Sequence, residues 1–479
     1  MDLSRTVATR EALQAVPPQL ARRLGVLPVM IADGQLYIVM ADESDDSALS
    51  QFEAQMTMPV VVLHARAPEA VASVIRRYYP EQSGGYDGTS LGLLGEIVRR
   101  AMLYRCSDIH FDAESKTGLI RLRIDGLLRT DRVLPHETLN ELISAVKVSS
   151  GLDMAERRVP QDGQLTMLIA GEEISMRVAT IPTLHGEKLT LRILATESIA
   201  AELADLNMLG MSGAHHRLLL EALGNSHGVI LLSGPTGSGK TTTLYASLRH
   251  LKEPGTLHIL SIEDPVEIPL DGINQIRIDS DRVSFNRALR STLRHDPDVI
   301  MIGEIRDAET ADIAIKSALT GHLVLSTLHA NDSVGVITRL LNLGVSVDLV
   351  NSALRLVIAQ RLVRCPCPHC MTWTPATEAD CEFFGWGADD RKIMLPRAAG
   401  CQLCHDTGYA GRLGLYEMIP VDRTIRDMIR SGESEDHISH YLFKECQIVT
   451  LRADGAEKVL KGLTTIDEVQ RVTCLLRSA

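Results

Sequence analysis

Nine consecutive residues constrain this chain more than any others: Gly234, Pro235, Thr236, Gly237, Ser238, Gly239, Lys240, Thr241 and Thr242. They fit the pattern G-x-x-x-x-G-K-[ST], follow the apolar run 229–232 and precede a stretch able to start a helix. In that order, a glycine-rich turn lets backbone N–H groups wrap a phosphate, and the helix N-terminus adds its positive dipole. Lys240 is placed to reach the β- and γ-phosphates of a nucleotide, and the Thr241 hydroxyl to hold Mg²⁺. The nine residues therefore predict ATP binding. The competing reading is a glycine-rich turn without a ligand, and the ordered strand, loop, lysine and hydroxyl argue against it. The loop alone does not say what ATP is used for.

A length of 479 residues predicts about three domains of roughly 150 residues each. The formal net charge is -12, with 61 acidic against 49 basic residues and only 4% aromatics, which argues against a nucleic-acid binder. Apolar runs stop at four or five residues, as at 299–302, where a membrane helix needs about twenty. No apolar stretch follows the basic residues near Met1, so a cytoplasmic location is expected. In such a reducing compartment, four of the nine cysteines, in two Cys-x-x-Cys pairs, read as metal ligands before disulfides.

Along the chain, residues 1–80 predict a small α/β module with a helix at 12–24 and a strand at 35–40. The segment 80–90 carries three glycines among polar residues and reads as a linker. Helical spacing at 91–104, alternation at 118–126, a hairpin pattern at 165–179 and a strand at 188–194 give a mixed helix–sheet module. A polar, alanine-rich stretch at 195–213 leads onward. Strands at 229–232, 258–262, 299–302 and 323–326 then alternate with helices, as in a mostly parallel sheet. From 421 the pattern is helical. The division expected is 1–80, a linker at 81–90, 91–205 and 206–479, the last including a metal loop at 365–404 and a helical region at 421–479.

A P-loop enzyme also needs a carboxylate at a strand end, to hold Mg²⁺ or to orient and deprotonate the attacking water. Two strands supply one: the first ends in Glu263 and Asp264, the second in Gly303 and Glu304. Glu304 is assigned to water activation, and Glu263 with Asp264 to Mg²⁺ and water positioning. Asp264 is also suited simply to capping the turn before Pro265. His322 and His329 bracket a short apolar strand near the sheet's ligand-binding edge, where each either contacts the γ-phosphate or is an ordinary hydrogen-bonded histidine. Arg121 and Arg123 alternate on one strand face, suited either to transition-state charge in a neighbouring subunit or to a solvated sheet surface.

Cys367, Cys370, Cys401 and Cys404 form two Cys-x-x-Cys knuckles about thirty residues apart, the spacing of a tetrahedral structural Zn²⁺. A thioredoxin-like redox role needs one reactive pair and fits less well. Cys365 is a competing ligand that breaks the paired spacing, while Cys106, Cys381, Cys446 and Cys474 read as ordinary buried or surface side chains.

Taken together these motifs resemble the ATPases of type II secretion and type IV pilus assembly. Residues 234–242 resemble the family's Walker A loop, 262–267 its aspartate box, 293–307 its atypical Walker B and 320–329 its histidine box. Residues 107–112, 121–126 and 160–163 are similar to its second N-terminal domain, and 1–80 more weakly to its first. The resemblance implies an α/β chain: a RecA-like P-loop ATPase domain, preceded by a PAS-like α+β N2 domain and a small N-terminal α/β domain, with a zinc-binding loop and a helical C-terminus. It implies a homohexamer with ATP at the subunit boundary, Glu304 and Glu263 as catalytic acids, and arginines from the Arg121 and Arg123 region completing a neighbour's site. The four cysteines, followed by the sequences at 407–412 and 414–417, resemble the assembly and secretion branch; the shorter retraction motors lack this loop. The implied partners are an inner-membrane platform protein and a membrane-anchored docking protein, holding the motor peripherally at the inner membrane. ATP, Mg²⁺ and Zn²⁺ are the implied cofactors, with no direct nucleic acid. Type II secretion is the leading reading; type IV pilus extension, a related DNA-transfer motor and a non-catalytic zinc-stabilised module are the alternatives.

Overall fold

The computed structural model describes residues 12, 15–32, 34–42, 45–56, 58–63, 71, 75, 89–169, 171–194, 205–278, 284–330, 332–387 and 392–473. The chain divides into two units, Met1–Ile124 with Leu128–Arg192, and Asp125–Leu127 with Ile193–Ala479. Most of the expected linker at 81–90, the alanine-rich residues 195–204 and Cys474 lie outside the described residues.

In the first unit, β1 (Val26–Ala32), β2 (Gln35–Met40) and β3 (Val60–Val62) form a small sheet in that order, β1 antiparallel and β3 parallel to β2. Helices Pro18–Arg23 and Asp46–Glu53 accompany it, the second capped by the Asp45 carboxylate, which accepts from Ala48 N at 2.9 Å. Leu27, Ile38 and Phe52 are fully buried in its core. The sequence hid β1 because Pro28 lies within it: proline lacks a ladder N–H, and the register slips between Pro28 and Met30. Within the helix expected over 12–24, residues 12 and 15 are helical and a helix runs from Pro18 to Arg23 after a break at 16–17, with residues 13 and 14 outside the described residues.

The same unit holds a six-stranded sheet of β4 (Cys106–Ala113), β5 (Thr117–Ile124), β6 (Leu127–Pro135), β7 (Gln161–Ile169), β8 (Glu172–Thr183) and β9 (Gly186–Ile193), in the order β6-β5-β4-β9-β8-β7. Strict alternation explains it: Ile120 and Leu122 on β5 are buried, while Arg121 and Arg123 point the other way. The β7–β8 pair is the hairpin foreseen in the sequence, with Leu165 opposite Met176. Helices Ser90–Leu103 and His136–Ser149 pack on each other and on β4.

The second unit is built on β10 (Gly228–Ser233), β11 (Ile259–Glu263), β12 (Asn274–Arg277), β13 (Val299–Ile302), β14 (Leu323–Leu328) and β15 (Leu354–Pro366), which run parallel. After β15, a separate hairpin of β16 (Met371–Pro375) and β17 (Met394–Ala398) intervenes before β18 (Tyr409–Pro420) returns antiparallel to β15. The seven-stranded order is β12-β11-β13-β14-β10-β15-β18. Val229 and Leu231 enter one apolar core, and Ile230 and Leu232 the other. That is why β10 reads as an uninterrupted apolar run: both faces are covered by helices. Past β18 the chain is helical, with Arg423–Ser431, Glu435–His440, Leu451–Leu460 and Ile466–Thr473. Among the described residues, no helix is long and apolar enough to cross a membrane.

Candidate functional site

The parallel strands end on one edge of the second unit, and there a cleft of about 860 Å³ opens between the 236–242 loop, Glu263, Asp264, Glu304, Arg306 and His329. That is room for a nucleotide. The loop leaves β10 at Ser233 and enters the helix Lys240–Lys252 through Gly239, at φ 87° and with no side-chain cap. The first-turn N–H groups of that helix are thus left for an anion. A Cβ on Gly234 would lie 2.5 Å from Gln360 O, and one on Gly239 2.8 Å from Gln360 Nε2, so glycine is required where the loop rests on β15. Thr243 Oγ1 donates to Gln360 Oε1 at 2.9 Å and fastens the helix to the same strand. The Lys240 ammonium donates to the loop's own carbonyls, 2.6 Å to Gly234 O and 3.1 Å to Pro235 O. Burial lowers its pKa, while the charge of Glu304 works the other way.

Glu304 follows Gly303, whose N–H donates to Ile262 O at 2.9 Å; a Cβ there would come within 3.3 Å of the same oxygen. Glu304 Oε1 lies 2.9 Å from His329 Nε2, and Oε2 accepts from Arg306 Nε at 2.9 Å. Arg306 also approaches Asp264 at 3.8 Å, and its pKa is raised chiefly by the hydrogen bond to Glu304. The carboxylate is therefore held from both sides. Glu263, the last residue of β11, is 3% exposed. Its Oε1 accepts from Ser261 Oγ at 2.6 Å and Gln275 Nε2 at 3.1 Å, and its Oε2 from the Tyr245 hydroxyl. A carboxylate has about four acceptor positions, and among the described residues these donors occupy three of them.

The two histidines separate. β14 runs parallel to β10 with Leu323 opposite Gly228 and Leu328 opposite Ser233. His329, just past Leu328, reaches the cleft; His322, just before Leu323, sits at the far edge, about 20 Å away along the strand. Its Nδ1 meets Ser317 O at 2.8 Å. The expected nucleotide contact of His322 is therefore corrected: strand direction sends the two histidines to opposite edges. Arg121 and Arg123 belong to the first unit, where Arg121 Nε lies 2.6 Å from Asp112 and Arg123 Nε 3.7 Å from Asp108.

Sequence reasoning missed Arg306, Tyr245, Gln360 and Arg412, all of which line or brace the cleft. Arg306 stands two residues after Glu304 and was within reach of a motif reading. The other three have no local signal, because their contacts depend on strand order.

Between β15 and β18, Cys367, Cys370, Cys401 and Cys404 bring their sulfurs within 4.8 Å of one another. Cys367–Cys401 is 4.0 Å, Cys370–Cys404 3.8 Å and Cys401–Cys404 3.7 Å. Four thiolates about 2.3 Å from a tetrahedral Zn²⁺ would stand at about these separations. Backbone N–H groups point at the sulfurs, from Gly400 to Cys370 at 3.2 Å and from Gly408 to Cys404 at 3.1 Å. Burial pushes the Cys367 thiol up to about 12. At Cys404 burial also raises the pKa, but the N–H groups of Cys401 and Gly408 outweigh it and bring the thiol to about 7. The donor set fits zinc. Cys365 stays outside the cluster, its thiol pushed up to about 11 by burial.

The model for the Type II/IV secretion system protein family matches residues 87–471, and that for the MshEN domain matches residues 1–85. The chain is similar to the Type II secretion system ATPase E of Vibrio cholerae, 42% identical over 392 residues, or 81% of this chain and 76% of that one. To the Type II secretion system protein E of Dickeya dadantii it is 37% identical over 491 residues, 94% of this chain and 97% of that one. A crystal structure of the pilus retraction motor PilT with bound ADP aligns with a TM-score of 0.54 at 25% identity, covering 79% of this chain and 96% of that one. The second unit is a RecA-like fold of the kind these ATPases share. With a family match running unbroken through both the nucleotide cleft and the cysteine lobe, the chain belongs to the Type II/IV secretion system protein family and is an ATP hydrolase.

Proposed function

We propose that this chain is the ATPase motor of a type II secretion system, working as a homohexamer on the cytoplasmic face of the inner membrane and held there by its partners. The observation that carries the reading is Glu304, clamped between His329 and Arg306 in the cleft that Lys240 also lines. Lys240 exchanges its two loop carbonyls for phosphate oxygens of ATP, and the N–H groups of the loop take the rest. Glu304 accepts the proton of the water that attacks the γ-phosphorus as the bond to the ADP oxygen breaks, leaving ADP and phosphate. His329 and Arg306 keep the carboxylate aimed. Thr241, Asp264 and Glu263 would hold Mg²⁺, which would supply neutralisation of phosphate charge.

Arg121 and Arg123 complete the site of a neighbouring subunit, their guanidinium groups, paired here with Asp112 and Asp108, supplying positive charge to its transition state. Residues 1–80 dock a membrane-anchored partner, 91–205 form the moving module and 206–479 the core. ATP drawing these together, and hydrolysis releasing them, drives the ring against a membrane platform protein. Support for secretion over pilus extension comes from the relatives, named as type II secretion proteins. Full-length Glu304→Gln should bind a fluorescent ATP analogue at the parent affinity and lose at least about a hundredfold in phosphate release. In the source cell it should stop secretion and leave pili unchanged. Hydrolysis at the parent rate overturns the assignment of Glu304; loss of pili with secretion intact overturns the secretion reading.

A further inference from the structure

Glu417 on β18 is 5% exposed, and nothing in the hydrolytic scheme above uses it. It stands opposite Ala359 of β15, two residues from the buried Arg361, so both side chains leave the sheet on one face. Arg361 lies against the floor of the phosphate loop: a Cβ on Gly234 would come within 3.1 Å of its Nη1. Burial lowers the pKa of Arg361, and the opposing charges are Glu417 and Asp332. Glu417 Oε1 accepts from the hydroxyl of Ser333, and from its N–H at 3.4 Å. Ser333 is fully buried and stands four residues after His329 in the sequence. The carbonyl of Asp332, one residue earlier, accepts from Ser233 Oγ at 3.3 Å, at the last residue before the phosphate loop. On its other oxygen, Glu417 accepts from Leu451 N at 3.3 Å, the first residue of helix Leu451–Leu460. Leu451 and Val459 of that helix share an apolar cluster with Ala376, Cys381 and Leu395 of the cysteine lobe.

One buried carboxylate thus joins the strand under the phosphate loop, the segment that begins at His329, and the helix that carries the cysteine lobe. We infer that Glu417 is a positioning residue for hydrolysis: through Ser333 it fixes the segment bearing His329, and through His329 the aim of Glu304. The inference rests on the assignment of Glu304 and His329 proposed above. Glu417 is not among the residues that line the cleft, so its effect falls on turnover and spares affinity.

The test uses full-length Ser333→Ala, Glu417→Gln, the double variant and Glu304→Gln, with phosphate release and fluorescent-nucleotide binding measured well below each melting temperature. Ser333→Ala removes one hydroxyl and leaves a small side chain, so it serves where Glu417→Gln folds poorly. Each single variant should lose between about tenfold and a hundredfold in kcat, with nucleotide affinity within about twofold of the parent. The double variant should lose little more than the worse single, because both weaken the same Ser333–Glu417 contact. Parent-like turnover in Ser333→Ala, a loss confined to nucleotide affinity, or a double loss equal to the product of the singles overturns the positioning role. If Glu304→Gln is inactive in the same assay, such a result leaves the proposed function standing. If Glu304→Gln turns over at the parent rate, the hydrolytic assignment fails and takes this inference with it.

Discussion

Tyr245→Phe removes one oxygen from the middle of the second unit and asks what orients Glu263. Among the described residues, the Tyr245 hydroxyl is the donor to Glu263 Oε2, and it also accepts from Glu267 N at 3.3 Å. Tyr245 is 2% exposed, so no water replaces the missing oxygen without first opening the core. A buried hydrogen bond to a charged group is worth about 1.5–3 kcal/mol. For a unit of this size, about 2–4 °C of melting temperature follows each kcal/mol, which gives a loss of about 3–12 °C. Turnover should fall by about tenfold as the Glu263 carboxylate swings toward Ser261 and Gln275. Burial, and next the charge of Glu263, hold the Tyr245 pKa above its ordinary value. The folded protein therefore keeps a proton that the unfolded chain releases near pH ~10. That stabilisation is whole below about pH 10 and is lost as the pH climbs beyond it, a slope that Tyr245→Phe should flatten. Scanning calorimetry from neutral to alkaline pH, with phosphate release on the same samples, measures all three effects. A variant melting within about 1 °C of the parent, with parent turnover and an unchanged alkaline slope, would refute the argument.

Two further outcomes are expected. His322→Ala should stay within about twofold of the parent kcat and His329→Ala should lose about tenfold; a larger loss at His322 would show that the far sheet edge takes part in the site. The purified parent should carry one zinc per chain by elemental analysis, and Cys367→Ser with Cys401→Ser should abolish it and expose 371–398 to limited proteolysis; a metal-free parent that resists protease equally would remove the metal from the lobe.

What the sequence made legible is what is contiguous or repeats at fixed spacing. The phosphate loop is a local device: its lysine, hydroxyl and glycines act within nine residues, and the apolar strand before it is marked by burial on both faces. The two Cys-x-x-Cys knuckles are legible for the same reason. What stayed hidden depends on the sheet. Ser333 and Glu417 are 84 residues apart in sequence, and the strand order β14-β10-β15-β18 brings their segments together. His322 and His329 look equivalent on paper because a sequence pattern carries no strand polarity; the parallel pairing of β14 with β10 distinguishes them. The β16–β17 hairpin escaped because its partners are separated by the helix Glu378–Phe384.

The cysteine lobe is spliced between two strands that stay paired as far as Pro366 and Tyr409. Deleting everything between those residues would leave strand ends that a turn of two to five residues can rejoin, with the nucleotide sheet keeping its register. The lobe nevertheless cannot be discarded alone, because Leu451, Val459 and Val469 bury themselves against it. A descendant that lost the lobe would have to lose or resurface the last two helices in the same step. Lobe and C-terminal helices therefore bury apolar surface as one module, and a chimera between relatives with and without the lobe should exchange both or neither.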